Sequence, residues 1–532
     1  MLRRKGFILL AVLMSIALVL SACGGNKSND AGSASSPAAE SKAPASSAPA
    51  SEQASKDAGG DAAIDTSKEV HLKMVFVGPK PIDYDAVFKE INAKLKEKIN
   101  ATIEGEFLDW SDWAQKYPLK LAANEDFDLI YSANWAGYND QAMKGGFLEL
   151  TEDMLAKYMP KTWELMPKVS WDQAKVDGKL YMVPQNRGES VEKLILYRED
   201  LRKKYNLPEI NSPESYANYL KTIAKNEKGI VPFTPETGDW KYHNLDRVLL
   251  KQQNEWNMFD LDMPFAFKLK DPKGQVFNVY ETQEFKDLAN YYKDLADNNA
   301  WSKNALNSKN DHQQDFKQGK TASITHNNGT LGALMALMRQ ENSPYEVALA
   351  DINQGKAKSV AISTQNGTSI HATSKNAERA LMFIDLMQND PELHNLIMLG
   401  IEGVHYNKVG DDKYEATDKN PNFTGFSNWD FNSPLNRDNV DFPQEASDLA
   451  KGWESMVYHY PLETFVFDNS NVKTEIANVG NVMLRYAIPL EYGVVKDVDK
   501  GIAELNQQLK AAGVDKIQQE MQSQIDAFLA KQ

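Results

Sequence analysis

Cysteine is nearly missing: the 532 residues hold one, Cys23. A single cysteine excludes an internal disulfide and a cysteine-based zinc site. Histidine is scarce too, with 8 scattered along the chain. No His-Glu-x-x-His helix and no nucleophile-elbow serine occur, so the signatures of the zinc peptidases and the α/β-hydrolases are lacking. Positive charge is in deficit, 59 Lys and Arg against 74 Asp and Glu, for a formal net charge of −15. That balance argues against nucleic acid and against adhesion to an anionic membrane surface. After residue 20 no apolar run is long enough to span a bilayer. No repeat of short period occurs, which argues against a repetitive adhesin.

What is present begins with Arg3, Arg4 and Lys5, followed by the uncharged run GFILLAVLMSIALVL, residues 6–20. A membrane-spanning helix needs roughly 20 apolar residues. A basic start, a shorter apolar run and then small residues describe a secretory signal peptide, here residues 1–22. Leu20-Ser21-Ala22-Cys23 resembles the lipobox of bacterial lipoproteins. The resemblance implies cleavage before Cys23 and lipidation of its sulfur. Two or more acyl chains hold a protein on a membrane where one does not. Cys23 is then an anchor, which removes it as a nucleophile. Residues 23–67 are Ser, Ala, Pro and Gly with scattered charge and almost no large apolar side chain. Such a segment cannot offset its ordering entropy, so a flexible tether is expected.

The body from about Lys68 is too long for one compact core. EVHLKMVFVG alternates, with Val70, Leu72, Met74 and Phe76 on one face, and reads as a strand. YDAVFKEINAKLKEKI brings Val87, Ile91, Leu95 and Ile99 round at helical spacing. A second strand in NATIEGEFLDW, a helix carrying Pro118 and a third strand in FDLIYSA follow. This alternation is the start of an α/β lobe with a mostly parallel sheet. Ligands collect at the carboxyl ends of strands in such sheets, which singles out Asn134 and Trp135. Trp110 and Trp113 share a helix start; one is expected in the core, and Trp113 is taken as a ligand candidate. KVDGKLYMVPQN holds a turn at Asp177-Gly178 and a short strand ending at Gln185 and Asn186. A strand in VEKLILYRED and a capped helix after Ser212 open a second α/β unit, so the chain is expected to cross between lobes near residue 185.

Several segments together resemble the family 1 extracellular solute-binding proteins of bacterial ABC importers. They are EDFDLIYSANWAGY, KGGFLELTEDMLAKYMP, VDGKLYMVPQN, GKTASITHNNG and LGIEGVHY. The tail FVFDNSNVKTEIANVGNVM with GIAELNQQLKAAGVDKIQQEMQSQIDAFL resembles the domain of unknown function 3502. The resemblance implies a two-lobed periplasmic-binding-protein-like fold of type II, α/β in both lobes, with a hinge, a ligand cleft and a helical C-terminal region. It implies an N-lobe of residues 68–185 returning at about 358–395, a C-lobe of 186–357, and a C-terminal domain of 396–532 packed on the lobes. It also implies a lipid-anchored monomer on the extracellular face of the cell membrane, delivering a carbohydrate to a membrane permease without cofactor or metal. The expected ligand-binding residues are Trp113, Asn134, Trp135, Gln185, Asn186, Trp240, Asn327, Glu402, Tyr406 and Trp429. Flat aromatics suit sugar faces, while amides and carboxylates suit hydroxyls. Asn327-Asn328 stand where many relatives carry an aromatic, which implies a more polar floor. DKNPNFTG, residues 418–425, has a misplaced glycine and an interrupting Pro421 for a calcium loop. A surface glycosidase stays open as an alternative, because 74 acidic residues leave room for a carboxylate pair about 5–9.5 Å apart. A receptor for peptides or another polar solute also stays open.

Overall fold

The alternating run becomes β1 (Val70–Val77). Alternation predicts one buried face, yet Met74, Val75, Phe76 and Val77 are all buried. The strand is central, and helices cover both faces of its sheet. Leu72, Met74 and Phe76 share a core with Val87, Phe88, Ile91, Leu95 and Ile99 of α1 (Tyr84–Ile99). Val75 and Val77 share another with Tyr117 and Leu121 of α2 (Trp113–Ala122), which runs through Pro118. Asn100, at φ 46°, closes α1 and turns the chain into β2 (Ala101–Leu108). After α2 comes β3 (Leu129–Ser132). This computed structural model describes residues 64–123, 125–185, 192–235, 245–259, 263–307 and 311–532. The expected leader, Cys23 and most of the tether lie outside the described residues.

Asp177 (φ 51°) and Gly178 (φ 76°) make the two-residue turn between β4 (Lys175–Val176) and β5 (Lys179–Leu180). Two successive positive φ values define the tight turn that matches strand twist, and Asp-Gly supplies them. β6 (Val183–Pro184) follows, and then β7 (Lys193–Arg198). Further on, β8 (Trp256–Met258), β9 (Phe265–Lys268) and β10 (Phe277–Asn278) form an antiparallel meander. β11 (Ser323–Asn327) and β12 (Val347–Ala350) flank β7, both antiparallel to it. The chain then passes through β13 (Lys358–Ser359) to β14 (Gly367–Ile370).

The first sheet has the order β2-β1-β3-β14-β6. β1 is parallel to β2 and β3, and β14 is antiparallel to both β3 and β6. The carboxyl ends of β1, β2, β3 and β6 therefore open on the same edge as the amino end of β14. The β7-centred sheet packs partly into a separate core, with helix Pro213–Asn226, helix Gln283–Asp297 and the meander. Ser212 caps the former through a reciprocal bond with Ser215.

The remaining strands are β15 (Tyr406–Val409), β16 (Lys413–Ala416), β17 (Asp438–Asn439) and β18 (Val457–Tyr458), the last paired parallel with β13. Residues 396–532 divide between the two cores. Phe423, Phe426 and Phe431 enter the first. Val479, Met483, Leu505, Ile517 and Ile525 enter the second. The apolar pattern of residues 501–529 reads as one helix, but Gly513 at φ 97° breaks it into Val498–Ala512 and Val514–Leu529. Among the described residues no helix is long and apolar enough to cross a membrane.

Candidate functional site

β2, β3 and β6 end on the shared edge and hand the chain to aromatic or amide side chains, Trp110, Asn134, Trp135 and Gln185. Beyond β3, residues Asn134–Ala136 form a single tight turn closed by Gly137 at φ 78°. Asn134 Oδ1 accepts the Trp135 backbone N–H at 2.8 Å, which leaves its Nδ2 without a partner among the described residues. The Trp135 ring Nε1–H donates to the Gln365 carbonyl at 2.7 Å. Trp113, at the start of α2, packs edge-on to Trp135 with centroids 5.4 Å apart. Trp110, just past β2, stacks on Trp429 at 5.8 Å and an interplanar angle of 12°.

Trp429 Nε1–H donates to Asn366 Oδ1 at 2.9 Å and lies 3.3 Å from the Tyr131 hydroxyl. The Tyr131 hydroxyl also donates to Asn366 Oδ1. Gln185 follows β6, is buried, and donates its backbone N–H to the Ser363 and Asn366 carbonyls at 3.1 and 2.9 Å. Five expected residues, Trp113, Asn134, Trp135, Gln185 and Trp429, thus meet at one edge. Sequence reasoning missed Tyr131 and Asn366 and assigned no ligand role to Trp110. Tyr131 reads as a core strand residue, and Asn366 gains meaning only once β14 is seen to join this sheet.

The loop carrying Trp429 is fixed to the end of β1. Ser427 Oγ accepts the Val77 N–H at 2.9 Å, and the Ser427 N–H donates to the Val77 carbonyl at 2.8 Å. Gly78 follows at φ 113°, and a Cβ there would sit 2.4 Å from the Gly425 carbonyl oxygen. Gly78→Ala is therefore expected to cost more than about 1 kcal/mol, through both the positive φ and the clash. Urea unfolding checks this, and Val77→Ala serves as a comparison that leaves the loop contact in place.

Asp430 is fully buried next to Trp429, with its Oδ2 accepting the Thr368 hydroxyl at 2.9 Å. Burial pushes its carboxyl well above the ordinary range, more than the Thr368 bond lowers it. A raised folded-state pKa means stability is full below the unfolded value and falls as pH rises toward the folded one. Asp430→Asn keeps an acceptor for Thr368 and has no charge to lose. Its stability should exceed that of the wild type near neutral pH and converge with it at acid pH, as read by thermal unfolding across pH.

Of the other expected residues, Asn327, Glu402 and Tyr406 make contacts of their own. Asn327 ends β11 in the other sheet and caps helix Asn328–Gln340, its Oδ1 accepting the Thr330 N–H at 2.8 Å. Glu402 pairs at the surface with Lys408 at 2.7 Å. Tyr406 is buried in the small sheet, edge-on to Tyr414, and burial pushes its phenol up to about 12. Both side chains are thus engaged with residues of the β15–β16 hairpin. Asn186 and Trp240 lie outside the described residues. The segment 418–425 forms a short turn, Asn420–Phe423. Among the described residues no group of three His, Cys, Asp or Glu is placed to hold a metal ion.

Flat rings beside amides thus gather at the carboxyl ends of strands, an arrangement that can offer a ligand both apolar faces and hydrogen-bonding groups. Residues 78–392 match the family described as bacterial extracellular solute-binding protein, and residues 461–530 match a domain of unknown function, DUF3502. The chain belongs to the bacterial extracellular solute-binding proteins. A curated relative of this solute-binding protein is a carbohydrate ABC transporter substrate-binding protein of Streptococcus pneumoniae serotype 4 (strain ATCC BAA-334 / TIGR4). It is 26% identical over 490 residues, covering 88% of this chain and 92% of the relative. A polygalacturonan/rhamnogalacturonan-binding protein of Bacillus subtilis (strain 168) is 33% identical over 156 residues, covering 27% of this chain and 30% of that one. Among solved structures, the N-glycan transport solute-binding protein NgtS of Streptococcus pneumoniae, in complex with Man1GlcNAc, superposes with a TM-score of 0.72. It is 22% identical and covers 87% of this chain and 100% of that one. The fold shared with it is the two-lobed one. These relatives bind solutes and are not enzymes, and the same holds for this chain.

Proposed function

We propose that this protein is the receptor of an ABC importer and captures a carbohydrate, most simply an oligosaccharide, between its two lobes. The observation that carries the reading is the platform of Trp113, Trp135 and Trp429 with Asn134, Gln185 and Asn366 at the carboxyl ends of the first sheet. Sugar rings have apolar faces that lie on aromatic planes and hydroxyls that need fixed polar partners. The curated relatives, a carbohydrate ABC transporter substrate-binding protein and a polygalacturonan/rhamnogalacturonan-binding protein, point the same way.

The lobes would be residues 68–185 with a return at about 358–395, and residues 186–357, with 396–532 packed on both. The hinge would include the stretch between β12 and β14, where the chain returns to the first sheet. Sugar favours the closed arrangement by touching both lobes, which shifts the population toward it. Asn327, at the end of β11, is a candidate for the facing wall. Cys23 carries the lipid, so the monomer works on the outer face of the cell membrane and hands its cargo to a permease. Calorimetric titration with neutral and acidic oligosaccharides and with short peptides tests the reading. A saturable sugar recovered unchanged supports it, whereas binding of peptides alone or consumption of the sugar overturns it.

A further inference from the structure

A second pocket, of about 300 Å³, adjoins the platform through Trp429. It lies between helix Pro391–Leu399, the β15–β16 hairpin and the loop that carries Trp429 and Arg437. Its volume is at the low end for small-molecule sites, so it suits one ring rather than a chain. Three features give the pocket a chemical character.

The first is Asn395. The residue is 8% exposed and lines the pocket, yet its amide makes no hydrogen bond among the described residues. Buried amides are ordinarily paired, and one left open toward a cavity is a group waiting for a partner. The second is Arg437. Only its Nη1 is engaged, with the Gly410 and Lys413 carbonyls at 3.3 Å each. It makes no ion pair among the described residues, so its other N–H groups are available. A guanidinium so placed matches a carboxylate in two-pronged fashion. The third is charge. In a chain of net charge −15, no acidic side chain lines this pocket among the described residues. Burial lowers the pKa of His394, which also lines it, more than its bonds to Met387 and Asn436 raise it, and its Nε2 lies 2.9 Å from Asn436 Oδ1. Trp429, Phe426 and Tyr414 complete the wall with aromatic surface.

We infer that this pocket is a subsite for a sugar ring bearing a carboxylate, the next ring of a chain that lies on the platform. The inference rests on the carbohydrate reading and narrows it to acidic oligosaccharides. Arg437 holds the carboxylate, Asn395 bonds a hydroxyl, and Trp429 separates this ring from the neighbour on the platform.

The test is calorimetric titration of the full chain with matched pairs. Oligogalacturonides are set against their carboxyl-reduced counterparts, and glucuronic-acid-bearing xylo-oligosaccharides against unsubstituted ones. In at least one pair the acidic member should bind about ten- to hundred-fold more tightly, as a charge-assisted pair requires. Arg437→Gln should erase that preference and leave the neutral member within about twofold. Because Arg437 also holds the hairpin carbonyls, Asn395→Asp is the second variant. It spares those contacts, places a negative charge in the pocket, and should weaken the acidic member about ten-fold more than the neutral one. Equal binding within every pair, or an acid preference that survives both substitutions, overturns the subsite and leaves the carbohydrate reading standing. Binding of no saccharide in the panel overturns the carbohydrate reading and this inference with it.

Discussion

Trp135→Ala is expected to cost about 2–4 kcal/mol of saccharide affinity, a loss of roughly thirty- to thousand-fold. The size follows from how the ring is held. Its Nε1–H is fixed on the Gln365 carbonyl at 2.7 Å, Trp113 packs edge-on at 5.4 Å, and Tyr131 lies tilted at 5.8 Å. A ring fixed in advance pays little entropy when a sugar lies on it. Truncation removes the surface and leaves the Gln365 carbonyl without its donor. Trp135→Phe keeps a face but loses that anchor, so it should retain most of the affinity. Calorimetry on the two variants checks the order. An alanine variant with wild-type affinity would remove Trp135 from the site. A structural role alone would instead lower the unfolding temperature without changing affinity.

The second large effect concerns stability in the segment that joins β12 to β13. Lys358 and Asp351 are 0% and 3% exposed at the side chain, and Lys358 Nζ lies 3.2 Å from Asp351 Oδ2. Trp453 Nε1–H donates to the same oxygen at 2.9 Å, and Lys358 also donates to the Asn353 carbonyl at 3.2 Å. Removing either partner strands a buried charge. Asp351→Ala or Lys358→Met is expected to cost about 3–5 kcal/mol. The double replacement Asp351→Leu with Lys358→Met leaves no charge behind and should cost much less than the sum of the two. Urea unfolding of the three variants measures the coupling. Single variants no worse than ordinary surface substitutions would contradict this account. Lys358 lies in β13, which pairs with β18, so the buried pair sits where the tail segment joins the earlier chain.

Local signals were enough for the first lobe's opening elements. β1, α1, β2, α2 and β3 begin and end within a few residues of where periodicity places them, because each buries a regular face. The strand-end rule then pointed to Trp135 and, through the turn at Asp177-Gly178, to Gln185. What the sequence hid was long-range. The Val77–Ser427 bond joins residues 350 positions apart, and no local pattern marks it. The resemblance implies a return of the chain at about 358–395, but nothing local in that stretch marks Asn366 as the partner of Trp429. Glu402 and Tyr406 are expected from their place in LGIEGVHY, and their partners, Lys408 and Tyr414, come from the hairpin that follows. Gly513 was hidden by an apolar pattern that continues across it, since two helices packed on one core keep the same period.

A crystal of the full chain grown with its tightest-binding oligosaccharide tests the central claim most directly. The account predicts a sugar ring in van der Waals contact with Trp135 and Trp429, with hydroxyls bonded to Asn134 or Asn366 and the second lobe closed over it. A sugar bound elsewhere, with the tryptophan platform bare, would contradict it.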